Sequence, residues 1–334
     1  IGVRLVGSEM CIRDRVEYAR QFMEIILLGN VVTHLYLGLN AVLRASGHPK
    51  QAMYATIATV AINTILAPIF IFMFDWGIRG AAIATVSAQV IALLWQLKQF
   101  NNANELLHFR RGIFRLKRKI VFDSLAIGMS PFLMNLAACL IVILINQGLK
   151  KYGGDLAIGA FGIVNRLVFI VVMIVMGLNQ GMQPIAGYNF GAKLYDRVNK
   201  VLKLTIIYAT CVTTFGFLVG MLAPNLVVGI FTSDAELTEL SATGLRITVM
   251  FFPIIGFQMV TSNFFQSIGM AGKAIFLSLT RQMLILLPCL LILPHFFGVA
   301  GVWYSMPVSD LLASLIALVM LVYQFRKFKT AAAH

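Results

Sequence analysis

Nine stretches of this chain are each apolar for about twenty residues or more, and that single feature decides what it can fold into. They cover residues 17–45, 52–74, 78–98, 120–149, 156–186, 200–223, 241–268, 274–294 and 299–325. A run of this length matches the roughly 30 Å hydrocarbon thickness of a bilayer when coiled as a helix. A helix also satisfies its own backbone hydrogen bonds where no water can. The sequence therefore predicts an all-α, polytopic membrane protein with nine transmembrane helices. Charged residues make up only 12% of the chain and its mean hydropathy is +0.86, against about 25% charged in an ordinary soluble domain.

One segment breaks the apolar pattern. Between Lys98 and Lys119 lie seven basic residues and one acid, Glu105, interleaved with Leu106, Leu107, Phe109, Ile113 and Phe114. Such a segment suits the surface of an anionic leaflet, its cations on lipid phosphate and its apolar residues dipping below, although a plain solvated loop would look similar. It divides the chain into residues 16–98, a basic linker at 99–119, a longer portion at 120–326 and a tail at 327–334. Residues 1–15 carry three arginines and no sustained apolar run, and they resemble translated adapter sequence rather than a signal peptide. They are set aside from the fold, and the native start is expected to lie upstream.

Nine crossings place alternate gaps on opposite sides of the membrane. One set of gaps holds seventeen lysines and arginines, the other four (Arg79, Lys150, Lys151, Arg246) together with the acids Asp234, Glu236 and Glu239. The positive-inside rule makes the first set cytoplasmic, including the 99–119 linker and the C-terminus. The net charge of +14 is thus spread through short gaps and does not form the folded basic face that nucleic acid requires. Cys11, Cys139, Cys211 and Cys289 show no CxxC spacing, and three lie inside apolar runs, so they read as small core hydrophobes.

Two parts of the chain repeat. Gly47 is followed after 30 residues by Gly77-Ile-Arg-Gly80, and Gly269 after 29 by Gly298-Val-Ala-Gly301; Asn40 and Asn263 precede the first glycine of each copy, and Lys50 and Lys273 follow it. Six helices separate the copies, so both enter the membrane in the same direction. Parallel repeats about an axis along the membrane normal are a known transporter plan, with the substrate cavity between the halves. On this plan residues 120–326 form a complete six-helix lobe. Residues 16–98 supply the last three helices of another, which implies twelve helices in two lobes and about three more upstream.

Of thirteen acids, Asp310 alone sits deep in a predicted span, about eleven residues in, or roughly 16 Å at 1.5 Å per residue. A carboxyl group there must be paired, protonated or hydrated. Arg166 shares that depth on the fifth span, and a permanent pair with it would be architectural. Arg281 is an alternative partner. If Asp310 instead opens onto a wet cavity, it can exchange a proton or attract a cation. The uncharged polar residues within spans are Asn40, Asn63, Thr85, Gln89, Asn135, Asn165, Gln180, Gln183, Gln258, Ser262, Asn263 and Gln266. Most residues of this kind glue helices together; a set aimed at one cavity would bind a ligand. Pro68, Pro131, Pro184, Pro253, Pro288 and Pro307 interrupt six spans and permit bends.

The segments Leu39-Asn-Ala-Val-Leu-Arg-Ala-Ser-Gly-His-Pro-Lys50, Asn63-Thr-Ile-Leu-Ala-Pro-Ile-Phe-Ile-Phe72, Gly80-Ala-Ala-Ile-Ala-Thr85 and Gly177-Leu-Asn-Gln-Gly-Met-Gln-Pro-Ile-Ala-Gly-Tyr-Asn-Phe-Gly-Ala-Lys193 resemble the multidrug and toxic compound extrusion (MATE) transporters, over about residues 16–328. The resemblance implies the twelve-helix, two-lobe fold and export of cationic or amphipathic compounds in exchange for protons or sodium ions. In some members an N-lobe cation site uses aspartates, an asparagine and a threonine. Asn63 and Thr85 match the last two, Ala67 stands at one aspartate position, and Asn135 replaces an acid on the seventh helix. Attention shifts to the C-lobe and Asp310. The expected partners are a small, cationic substrate and membrane lipids, with a transient coupling ion, no cofactor, no metal and no nucleic acid, in a monomeric chain of the inner membrane. A lipid-linked saccharide flippase of the same superfamily and a transport-inactive fragment are the alternatives. The five histidines are scattered, with no HExxH or GxSxG, so no enzyme is expected.

Overall fold

The computed structural model describes residues 17–102, 108 and 117–332, and among these there are helices and turns but no strands. The predicted residues 1–15 and most of the 99–119 linker lie outside the described residues. The chain divides into two compact units, Ile1–Leu116 and Lys117–His334.

In the first unit, α1 (Glu17–Leu28) and α2 (Asn30–Ala45) form one span bent by 53°. The bend falls at Gly29, where Val86 presses so closely that a side chain would collide with it. α3 (Pro49–Pro68) runs on through a π-helical turn, Ile69–Met73, and α4 (Gly77–Phe100) closes the unit. Tyr36, Ala55, Ala92 and Leu93 form its core, with Leu43, Ala52 and Phe100 clustered nearby.

The second unit opens with α5 (Arg118–Gly191), a 74-residue helical run that Gly154 breaks with φ 66° and ψ −161°. At 1.5 Å per residue a straight helix of that length would reach about 110 Å, so its two arms, 118–153 and 155–191, are separate crossings. α6 (Tyr195–Leu222) and a short α7 (Pro224–Gly229) follow. Asp234 caps α8 (Ala235–Val249) by accepting from the Leu237 amide at 3.0 Å. α9 (Phe252–Ser267) meets α8 at 55°, with Pro253 in its first turn. α10 (Ala271–Leu279) passes through a seven-residue π-helical stretch, Thr280–Leu286, into α11 (Leu287–Phe297), and α12 (Val299–Ala332) ends the described chain. The π-helical stretch precedes Pro288, whose ring cannot tolerate regular α-helical bonding to the turn before it. Counting each bent pair as one span and each arm of α5 as another gives nine crossings among the described residues.

Leu28, Phe72, Leu222 and Phe296 are each more than three-quarters exposed. In water such a surface would aggregate; in a bilayer it meets lipid. Cys139 and Cys211 lie on this exposed surface, which corrects their reading as core residues. An apolar run does not distinguish a lipid-facing position from a buried one.

The internal repeat is visible in each unit. Gly47 and Gly269 both adopt the left-handed conformation, at φ 90° and 77°, and Gly77 and Gly298 do so at 52° and 57°. Beside each of the first pair the same helix-ending bond forms, from His48 N to Leu43 O at 3.0 Å and from Met270 N to Phe265 O at 2.9 Å. Leu43, Ala52 and Phe100 recur as Phe265, Ala274 and Leu321 in the second unit's core. One pairing needs correction. Asn40 donates to Ala52 O, twelve residues ahead, at 3.0 Å, and the residue that makes this bond in the second unit is Ser262, to Ala274 O at 3.5 Å. The counterpart of Asn40 is therefore Ser262 and not Asn263.

Candidate functional site

Four helical segments of the second unit turn polar residues toward one cleft of about 400 Å³. The first arm of α5 supplies Pro131, Met134, Asn135 and Ala138, and its second arm Met176, Asn179, Gln180 and Gln183. α9 contributes Gln258, Met259, Ser262, Asn263 and Gln266, at the three- and four-residue intervals that share a helix face. Ser278, Arg281 and Gln282 come from α10 and the π-helical stretch. The volume falls in the range of small-molecule sites, about 300–1,000 Å³.

Eight of the sixteen lining residues are amides, and the hydrogen bonds fix which way several point. A backbone carbonyl can only accept, so the Asn135 atom 2.8 Å from Pro131 O and the Asn263 atom 2.9 Å from Met259 O are nitrogens. Asn263 Oδ1 in turn accepts from Gln183 Nε2 at 3.2 Å. Each of these three nitrogens has one N–H engaged within the protein, which leaves the side-chain oxygens of Asn135 and Gln183 able to accept or to face a cation. Among the described residues the wall offers amide oxygens and no carboxylate. Asn179 is 2% exposed, and neither of its amide atoms has a partner; Gln282 Oε1 is buried and unpartnered as well. A buried polar group left this way costs about 1–3 kcal/mol, and a ligand that bonds to it recovers that cost.

Among the described residues, Arg281 is the sole charged residue in the lining. Its Nε lies 2.7 Å from Asp310 Oδ1, with the arginine side chain 32% exposed and the aspartate 5%. The aspartate thus stands behind the guanidinium and does not itself line the cleft. This corrects the pairing expected with Arg166, which lies exposed on the second arm of α5. Depth alone suggested Arg166, but equal depth says nothing about the direction in which a side chain leaves its helix. α10 also starts at Ala271, three residues before the predicted span, which puts Arg281 ten residues along the helical run instead of seven.

The remaining expected residues separate by unit. Seven of the polar residues read from the sequence, Asn135, Gln180, Gln183, Gln258, Ser262, Asn263 and Gln266, are gathered in the cleft, whereas Asn165 is exposed. In the first unit Asn40 is buried with its amide nitrogen on Ala52 O and Thr56 Oγ1 and its oxygen on Arg44, so its bonding capacity is used in holding α2 to α3. Thr85 bonds to Ala81 O at 3.0 Å, and Asn63 Oδ1 is buried without a partner. Gln89, the counterpart of Asp310, accepts from Thr33. Sequence reasoning does not single out Asn179 or Gln282. Each is an amide beside a recognised polar residue, Gln180 or Arg281, and that adjacency is the available signal.

A family model described as MatE matches residues 11–69 and 127–291, which is most of the chain and includes the first arm of α5 from residue 127, the second arm and α9. The chain belongs to the MATE family. Among curated MATE relatives it is 27% identical over 326 residues to the multidrug export protein MepA of Staphylococcus haemolyticus, covering 96% of this chain and 70% of that protein. It is 28% identical over 309 residues to MepA of Staphylococcus aureus, covering 91% and 67%. Among solved structures it is similar to the MATE multidrug transporter DinF-BH in complex with rhodamine 6G, at 34% identity and TM-score 0.84, covering 93% of this chain and 70% of that one. A MATE structure in the bent conformation shares the fold at 22% identity and TM-score 0.88, covering 96% and 72%. The chain is therefore a multi-pass membrane protein of a multidrug efflux transporter family.

Proposed function

We propose that this MATE protein exports cationic or amphipathic small molecules across the inner membrane in exchange for protons or sodium ions. The observation that carries the reading is the cleft itself. Amide oxygens attract a cation without demanding one shape, and Met134, Met176 and Met259 offer adaptable, polarisable contact to an aromatic or aliphatic body. The complex of a relative with rhodamine 6G supports a ligand of this class. The balance of basic residues supports a cytoplasmic 99–119 linker and C-terminus. A saccharide flippase would require a strongly cationic cavity, whereas the guanidinium here is neutralised by Asp310.

The test is rhodamine 6G binding to the purified chain, followed by efflux from vesicles under separately imposed proton and sodium gradients. Saturable binding and efflux that collapses with one gradient are expected. Absence of binding under any condition refutes the reading.

A further inference from the structure

The lining poses a problem. A site that takes cations has, as its single formal charge among the described residues, an arginine. We propose that Arg281 and Asp310 together form the charge selector of the cleft: while Asp310 is ionised the wall is neutral and oxygen-rich, and once Asp310 is protonated the unopposed guanidinium excludes cations. This inference rests on the cleft being the ligand site and adds how its charge preference is set and reversed.

The geometry assigns the two residues different places. Asp310 is buried behind Arg281, so a ligand in the cleft meets the guanidinium and not the carboxylate. The proton and the ligand need not compete for one atom; the proton acts by uncovering a charge. Charge moves simply: a carboxylate oxygen of Asp310 takes a proton from water and later returns it, and Arg281 keeps its own protons throughout. Two buried hydroxyls without partners lie close in sequence, on Thr280 just before Arg281 and on Ser314 four residues after Asp310. Arg281 also sits in the π-helical stretch Thr280–Leu286, where the wide turn is easier to repack than a regular helix.

Among the described residues Arg281 is the charged group that acts on Asp310. α9, which packs on α12, contains no titratable residue. On α10, Lys273 is bonded to Gln324, fourteen residues along α12 from Asp310 and about 21 Å away at helical rise. On α8, Arg246 is exposed, and Glu236 lies in the first turn with Glu239 one turn on. On α11, His295 bonds to Leu291 O, and Cys289 is half-buried. The first arm of α5 meets α12 through Gly148 against Val302 and Gly153 against Val299, and the second through Phe161 against Trp303; Lys150 and Lys151 on the first arm and Asp155 and Arg166 on the second are exposed. On α12 itself, Tyr304 is exposed and precedes Asp310 by six residues.

The experiment measures equilibrium binding of two dyes of similar size to the full chain in lipid nanodiscs between pH 5 and 9, rhodamine 6G as the cation and fluorescein as the anion. A like charge at about 8 Å in a medium of effective permittivity 20 corresponds to about a 30-fold loss of affinity. Asp310→Asn is expected to bind rhodamine 6G at every pH as weakly as the protonated wild type, about that factor below the ionised wild type, and to strengthen fluorescein. Asp310→Glu keeps the charge and is expected to keep rhodamine 6G binding. The double variant Arg281→Gln with Asp310→Asn is expected to regain rhodamine 6G affinity and to lose its pH dependence. Thermal melting of each variant checks folding. If Asp310→Asn binds rhodamine 6G as the wild type does, or if the single and double variants lose it equally, the inference is overturned. A wild type that binds neither dye refutes the cleft as a ligand site and this inference with it. A wild type that binds rhodamine 6G with no change across the pH range refutes the charge selector alone.

Discussion

The side-chain amide of Gln183 donates to Oδ1 of Asn263 across 3.2 Å, tying the second arm of α5 to α9 at the wall of the cleft. Because Asn263 also holds the Met259 carbonyl at 2.9 Å, its orientation is fixed from both sides, and so is the oxygen that Gln183 has left to offer.

Replacing Asn263 with leucine removes both bonds. Of the two, the bond with Gln183 joins two helices; inter-helix polar bonds in membranes average about 0.6 kcal/mol, and the loss of stability in a reversible unfolding titration is expected to be about that size. Release of Gln183 frees a donor into the wall, and rhodamine 6G affinity is expected to fall several-fold. Unchanged affinity would show that the oxygen-rich wall does not attract the cation.

Asn179 is expected to separate stability from function. Its buried, unpartnered amide costs about 1–3 kcal/mol, and Asn179→Leu removes that cost at similar volume. The variant is expected to melt at a higher temperature and to bind dye more weakly. Destabilisation instead would mean that the amide serves the fold.

Gly244 lies against the ring of Trp303, and a Cβ there would stand 2.7 Å from Cη2. Gly244→Ala is expected to cost about 1–3 kcal/mol through overpacking and to change the Trp303 fluorescence. Gly148→Ala, whose Cβ would meet Val302 at 3.4 Å, an easily relieved contact, is the control and is expected to be close to neutral.

Gly47 and Gly269 occupy equivalent left-handed turns. Alanine at either is expected to cost about 1–2 kcal/mol, because its Cβ crowds the following carbonyl oxygen in that conformation. Similar losses on melting at the two sites are expected from the duplication. A neutral effect at one of them would mean that its turn is free to rearrange.

Much of this was legible in the sequence because a bilayer allows few solutions. Spanning length located the nine crossings counted among the described residues, and Gly47 and Gly269 announced their turns. The cleft was legible in part: Gln258, Ser262, Asn263 and Gln266 have the spacing of one helix face, yet nothing in the spacing says whether that face meets lipid or protein. Arg166 and Arg281 show the limit most clearly. The distance of a residue along a helix gives depth, but which arginine meets Asp310 depends on azimuth, and the π-helical stretch around Arg281 shifts azimuth in a way that an ideal 3.6-residue period does not anticipate. Asn40 and Ser262 show the same limit at one-residue scale, since a slip of one position in matching the repeats exchanged a clasp for a neighbour of the cleft.

That clasp has aged differently in the two copies. In the first unit the long amide of Asn40 fills its corner and bonds with Arg44, Ala52 and Thr56. In the second the shorter hydroxyl of Ser262 holds Ala274 and Ser278 while standing at the edge of the cleft. A repeated hairpin that keeps its grip with fewer atoms leaves elbow room beside it, and in the second copy that room opens onto the cleft.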